Sequence, residues 1–279
     1  MAANSIARRA LKYMLAAALA DRHYAYLQSV AMAWDIRRGK LSEPEISLVP
    51  MAVQNGDAVI DIGANYGLYT HHLSRAVGST GRVYAFEPIP FTNSVLRLVG
   101  RLLGFRNVEV FEKGCSSETS RQAFTVPVQV SGAIAAGLAH LSAEGDEDAK
   151  LVCSSLNNAT AVICEVVALD DFMPPLREIS FIKCDIEGAE LLAFRGCETM
   201  IARHHPTVLS EVYREYLGRF HFKLEDLTGF FIDRGYRLFT YDGASQGLIE
   251  TPPEAVVDGN VLFIHPDRQH RFHRALKLT

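Results

Sequence analysis

Cysteine is scarce and unpaired in this chain. There are five, an odd number, and none falls in a Cys-x-x-Cys pair. That excludes a disulfide framework and a structural zinc site, and it points to thiols kept in a reducing, cytoplasmic setting. Cys164 and Cys184 lie in apolar, strand-like runs and read as buried. An excess of positive charge is missing too. Lys and Arg number 28 against 32 Asp and Glu, a net charge of -4, so no basic field invites nucleic acid and no such partner is expected. No apolar run has the length of a transmembrane span, roughly 20 residues. What remains, 48% hydrophobic and 22% charged residues, suits a globular chain that buries a full core in one large or two small domains.

The chain is organised around Ala58 to Pro88. Ala58 to Ile62 is an apolar run short enough for a strand buried on both faces. Asp61 lies near its end, and Gly63, Ala64, Asn65 and Gly67 follow in a tight series. Glycine enters positive φ freely and lets a ligand approach the backbone, and asparagine tolerates that region better than most residues. Tyr69, Leu73 and Ala76 then recur at helical spacing, and a second apolar strand, Arg82 to Phe86, ends in Glu87-Pro88. Strand, glycine turn, helix and acid-ended strand form half of a nucleotide-binding α/β unit.

The residues also bear on which nucleotide. A dinucleotide loop reads G-x-G-x-x-G, but Asn65 and Leu68 occupy its second and third glycine positions. S-adenosylmethionine has no phosphate. It needs a close-fitting loop under its amino-acid and ribose parts and a carboxylate for the ribose hydroxyls. Asp61 and Glu87 supply acids at neighbouring strand ends, where a sulfonium cation is also favoured. The rivals are a nicotinamide oxidoreductase, for which a Tyr-x-x-x-Lys pair is lacking, and a non-catalytic nucleotide-binding scaffold.

The motifs D-I-G-A-N-Y-G, A-F-E-P, L-D-D-F, I-K-C-D-I-E-G-A-E-L and L-S-E-V, in this order, resemble the FkbM family of S-adenosylmethionine-dependent methyltransferases. The likeness runs from about Ala58 to Tyr241, and the block from Ile182 to Glu190 is its most specific part. The resemblance implies S-adenosylmethionine as cofactor and O-methylation of a hydroxyl on a small molecule or glycan, of sugar or polyketide type. It implies a Rossmann-like class I α/β fold, with a seven-stranded, mostly parallel sheet and an antiparallel C-terminal hairpin. Asp61, Gly63, Ala64, Asn65, Gly67, Glu87 and Pro88 would hold the donor. In this fold the loop after the third strand borders the adenine, which makes Cys115 and Ser116 further candidates; an ordinary turn with a buried cysteine is the other reading.

The divisions expected are an N-terminal helical extension over 1–50, a catalytic domain over 51–266 and a basic tail over 267–279. Met1 to Lys40 reads as helix, with Ile6, Leu11, Met14, Leu15 and Leu19 among Arg8, Arg9 and Lys12. It suits a helix packed on the catalytic domain; a targeting peptide and an amphipathic membrane-surface helix are minority readings. Asn107 to Glu112 gives a third strand and Ala123 to Val130 an extra one. Ser131 to Thr160 is an irregular insertion placed to cover the acceptor, and Asp170 is a helix cap.

Ile179 to Cys184 is a buried strand with Asp185 at its carboxyl end, the edge where ligands lie in such sheets. Glu187 and Glu190 follow on one helical face. Carboxylates this close raise one another's pKa unless compensated, which makes a proton acceptor; acids at a helix start also stabilise its dipole. Glu211, ending the strand from Pro206 to Val212, is a second base or an ion-pair partner of Arg214 or Lys183. The catalytic set is therefore Asp185, Glu211 and Glu187. Oxygen ligands of this kind suit magnesium better than zinc, but nothing else requires a metal and none is expected. Tyr236 to Tyr241 and Asn260 to His265 are closing strands around a loop from Asp242 to Asp258, and Arg268, Arg271, Arg274 and Lys277 form a solvated basic tail.

Overall fold

The structure is a computed structural model that describes residues 21–128, 140–142, 158–174 and 178–272. Helix α1 (Asp21–Arg37) leads through a turn and a short helical stretch into β1 (Ala58–Ile62), α2 (Leu68–Val77), β2 (Arg82–Phe86), α3 (Pro90–Leu103) and β3 (Val108–Phe111). The chain then leaves this sheet for β4 (Gly114–Cys115), β5 (Ser120–Val128), β6 (His140–Leu141) and β7 (Asn158–Val167). It returns with β8 (Ile179–Cys184), α4 (Glu190–Arg195), α5 (Glu198–His204), β9 (Thr207–Val212), α6 (Leu224–Ile232), β10 (Arg237–Asp242), β11 (Gly247–Glu250) and β12 (Gly259–Ile264).

The large sheet has the order β11-β10-β12-β9-β8-β1-β2-β3. Its β3-β2-β1-β8-β9 part is parallel, and β12, β10 and β11 are added antiparallel. Side chains alternate along its strands, so β1 sends Ile60 and Ile62 into one apolar layer with Phe86, Ile182 and Phe194, and Val59 into the other with Leu73, Val77 and Phe181. Both faces are covered, which is why β1 and β8 are buried along their whole length and, apart from Asp61, Ser180 and Lys183, mostly apolar. The chain winds outward from β1 to β3 and then resumes on the other side at β8. The crevice of such a fold therefore opens at the carboxyl ends of β1 and β8, after Ile62 and Cys184.

Three expectations need correction. The sheet has eight strands rather than seven, because β11 forms in the expected loop and pairs with β10 on its outer side. The extra strand begins earlier, at Ser120, and the strand-like run around Cys164 belongs to β7, which starts at Asn158; β4, β7, β5 and β6 make a separate four-stranded sheet. The basic residues after 266 are not uniformly solvated. Arg268 is buried and paired with Glu178, and Arg271 binds Asp57 at 2.5 Å. Most of the insertion over 131–160, the segment 1–20 and residues 273–279 lie outside the described residues.

Smaller details also resolve. Asp170 does cap a helix, but it is α5, by accepting from the amides of Thr199 and Met200 at 2.7 and 2.9 Å. Arg214 turns from Glu211 to Asp258 and the carbonyl of Val256. No helix among the described residues is long and apolar enough to cross a membrane.

Candidate active site

The glycine turn after β1 has the backbone the sequence required. Gly63 and Gly67 have φ of 78° and 90°, and Asn65 follows suit at 47°. The amides of Gly63 and Ala64 donate to the carbonyl of Phe86, which ties the turn to the end of β2. A Cβ on Gly63 would lie 1.9 Å from the carbonyl oxygen of Asp185, so only glycine allows the ends of β1 and β8 to approach this closely.

Glu87 is buried behind this turn and accepts from the amides of Asn65 and Ile89, each at 3.0 Å. Burial raises its pKa to about 7 against those hydrogen bonds. Asp61 is buried as well and accepts from the Thr70 hydroxyl at 2.5 Å. Burial raises it to about 6, while Thr70 and Lys183 pull the other way. Two acids held at such values at the ends of neighbouring strands are poised to gain from a cation.

On the β8 side, Asp185, Glu187 and Glu211 each bring one carboxylate oxygen within 4.8 Å of the others. Burial and then Asp185 raise the pKa of Glu187, to about 7, and that of Glu211. Glu187 holds a left-handed φ of 58° and is followed by Gly188, whose Cβ would meet the Tyr216 carbonyl at 2.3 Å. Glu190 plays a different part. It is buried and accepts from the amides of Ile186 and Gly188, so it braces the turn rather than facing the cleft.

Lys183, which the sequence reading gave only as a partner for Glu211, is central. Its side chain is about 2% exposed, its Nζ lies 3.6 Å from Asp185 and donates to Asn260 at 3.0 Å, and the Tyr69 ring lies 4.9 Å away. Burial pulls its pKa down, but Asp185, Glu43 and Glu211 outweigh it and hold the ammonium charged. The signal was a lysine inside a strand otherwise buried and apolar. Glu43, in the expected N-terminal extension, was missed outright: it accepts from the Tyr69 hydroxyl at 2.8 Å.

These residues line connected space. One cleft of about 810 Å³ takes in Glu43, Gly63, Asn65, Glu87, Pro88, Asp185, Glu187 and Glu211. A second, of about 580 Å³, shares Gly63, Asn65 and Asp185 and adds Asp61, Ala64, Tyr69 and Lys183, with Met32 and Leu41 of the N-terminal segment. A smaller apolar slot beside Pro88 is lined by Gly63, Phe86, Cys115, Phe124 and Leu141. Ser116 is buried away from it, with its amide on the carbonyl of Val167 and its own carbonyl against Gly196. Gly67 borders none of these spaces and packs on Leu96.

The family described as "Methyltransferase FkbM domain" matches residues 61–238. This chain belongs to the FkbM methyltransferase family. The match spans the glycine turn, the acid-ended β2 and the whole Lys183–Glu190 block. Among curated proteins the chain is 28% identical over 151 residues to "Methyltransferase 1" of Beauveria bassiana, a stretch that covers 50% of this chain and 58% of the relative. Among solved structures it resembles an FkbM methyltransferase of Methylobacillus flagellatus at a TM-score of 0.47 and 19% identity, covering 92% of this chain and 59% of the other. It also resembles a S-adenosylmethionine-dependent O-methyltransferase of Thermotoga maritima at 0.44 and 12%, covering 82% and 68%.

As a member of this family the chain carries a methyltransferase domain, and the cofactor expected from its sequence is S-adenosylmethionine. The residues present fit that group. Asn65 has a buried side-chain oxygen without a hydrogen-bond partner, in the turn that lines both clefts. Asp61 and Glu87 offer acids to a cationic, hydroxyl-bearing ligand. The trio Asp185, Glu187 and Glu211 has the oxygen chemistry for a divalent cation, although Lys183 already neutralises Asp185; His205, His265 and Asp267 form a second group with metal-ligand character at the far edge of the sheet.

Proposed function

We propose that the protein is an S-adenosylmethionine-dependent O-methyltransferase acting on a hydroxyl of a small molecule or glycan. The observation that carries this reading is the convergence of Asp185, Glu187 and Glu211 on the cleft that also contains Gly63, Asn65 and Glu87. When bound, the donor supplies an activated methyl group that passes to the acceptor oxygen as its bond to sulfur breaks. What the chain must add is alignment, exclusion of water and a base for the hydroxyl proton. The turn from Gly63 to Asn65, with Glu87 and Pro88, would hold the donor, and the slot beside Pro88 and Cys115 suits a flat apolar ring.

Glu211, with its raised pKa, is our choice of proton acceptor. Glu187 supports it, and Lys183 pairs with Asp185 at 3.6 Å. Carboxylates also pair well with sugar hydroxyls, and Tyr213 and Tyr216 beyond β9 present aromatic rings next to them. We place the protein in the cytoplasm, which suits its four described cysteines, all buried free thiols.

Calorimetry with the donor and a turnover assay on polyhydroxylated acceptors test this together. Glu87→Gln is expected to weaken donor binding at least about tenfold, the scale of one lost charge-assisted hydrogen bond. Glu211→Gln is expected to leave donor binding intact and lower turnover by about 100-fold or more. Full turnover in Glu211→Gln would move the base elsewhere, and a wild-type protein that ignores the donor would sink the whole assignment.

A further inference from the structure

We propose that the outward face of α1 is a membrane contact, docking on the headgroup region of a bilayer that contains anionic phospholipid. The helix carries two apolar stripes. Ala25, Ala33 and Ile36 face inward and pack with Val95 and Val99 of α3. The second stripe points away from the protein: Tyr26, Leu27, Val30 and Trp34 are 54%, 42%, 42% and 53% exposed. The outer face of a helix on a globular protein is ordinarily polar. Here the polar residues beside this stripe are His23, Arg37 and Arg38, and the Arg38 guanidinium sits 4.1 Å from the centre of the Trp34 ring. Tryptophan and tyrosine among aliphatic residues, with arginine at the margin, is the composition of a helix lying in a lipid interface.

Charge selects the occupant. A second copy of the same face would bring its own Arg37 and Arg38 and no acid, leaving the arginines facing like charge. Anionic headgroups supply the missing opposite charge. The sequence ahead of the helix has the same chemistry, since Arg8, Arg9 and Lys12 stand among Leu11, Met14, Leu15 and Leu19, with no acidic residue before Asp21.

Trp34 is the only tryptophan in the chain, so intrinsic fluorescence reports on this face directly. The full-length protein would be titrated with phosphatidylcholine vesicles and with vesicles of phosphatidylcholine and phosphatidylglycerol. The expected result is a blue shift of Trp34 emission and co-flotation with the anionic vesicles, both reduced by high salt. Val30→Glu alters an exposed position and should preserve the fold and donor binding, while vesicle partitioning falls roughly tenfold or more. Emission that ignores anionic vesicles would overturn the proposal. So would a blue shift that follows protein concentration without lipid, which makes a second copy the occupant. Emission already blue in dilute, lipid-free protein would overturn it as well, because residues 1–20 would then cover the face.

Discussion

Gly63 shows how little freedom the glycine turn has. Its φ of 78° disfavours any side chain, and the Asp185 carbonyl occupies the space where a Cβ would stand. Gly63→Ala must therefore either strain the turn or push β8 away from β1. Together these cost on the order of 3 kcal/mol. The expected outcome is a lower denaturant midpoint at unchanged slope, with donor affinity reduced in parallel; an unchanged midpoint would mean that the two strand ends are free to separate. Lys183 belongs to the same scale. A single buried ammonium beside Asp185, with Glu43 and Glu211 also acting on it, is what lets so many acids share one cleft.

At the scale of elements, the segment after β12 does more than its composition suggests. Arg271 reaches back to the loop before β1 and binds Asp57, which also accepts from the Ser180 hydroxyl at 2.7 Å and the Gln54 amide at 2.9 Å; Phe272 beside it is fully buried. Removing one partner leaves a largely buried charge unpaired. Arg271→Met is accordingly expected to destabilise the protein by roughly 3 kcal/mol, read in a urea titration. Loss of only a few tenths would show that solvent replaces the arginine.

The same element shows what the sequence could not convey. Arginines three apart look alike whether solvated or buried, and the acid that decides the matter is 214 positions away. β11 was invisible for a related reason, being four residues at a sheet edge with only β10 to pair with, amid glycine and proline. β1 and β8 were legible because burial on two faces leaves its mark on most residues of a strand. The glycine turn was legible because its glycines and its acids are local. Glu43 was not, since its role depends on the N-terminal segment folding over the cleft to meet Tyr69.

For the molecule as a whole, the crowded acids make stability depend on pH in an unusual sense. Glu87, Glu187 and Glu190 all have pKa values raised to about 7, mainly by burial, from an ordinary 4.5. A carboxyl shifted upward stabilises the fold while protonated, so that contribution is complete below pH 4.5 and is lost as pH rises through 7. His71 and His72, lowered by burial, give the opposite slope, but only below their ordinary 6.5. Between pH 6.5 and 8 the acids dominate, and the donor-free protein is expected to lose on the order of 2 kcal/mol. Denaturant midpoints across that range check it; a flat profile would mean that solvent or a bound cation already compensates these groups.

The pairing of α1 with α3 also bears on how the chain is made. The inward stripe of α1 lacks its buried partners Val95 and Val99 until α3 has been added. At the usual pace of synthesis, the interval from Arg37 to Leu103 lasts roughly 3 to 13 s. Throughout that time the helix carries apolar residues on both sides, before α3, which will cover one of them, is complete.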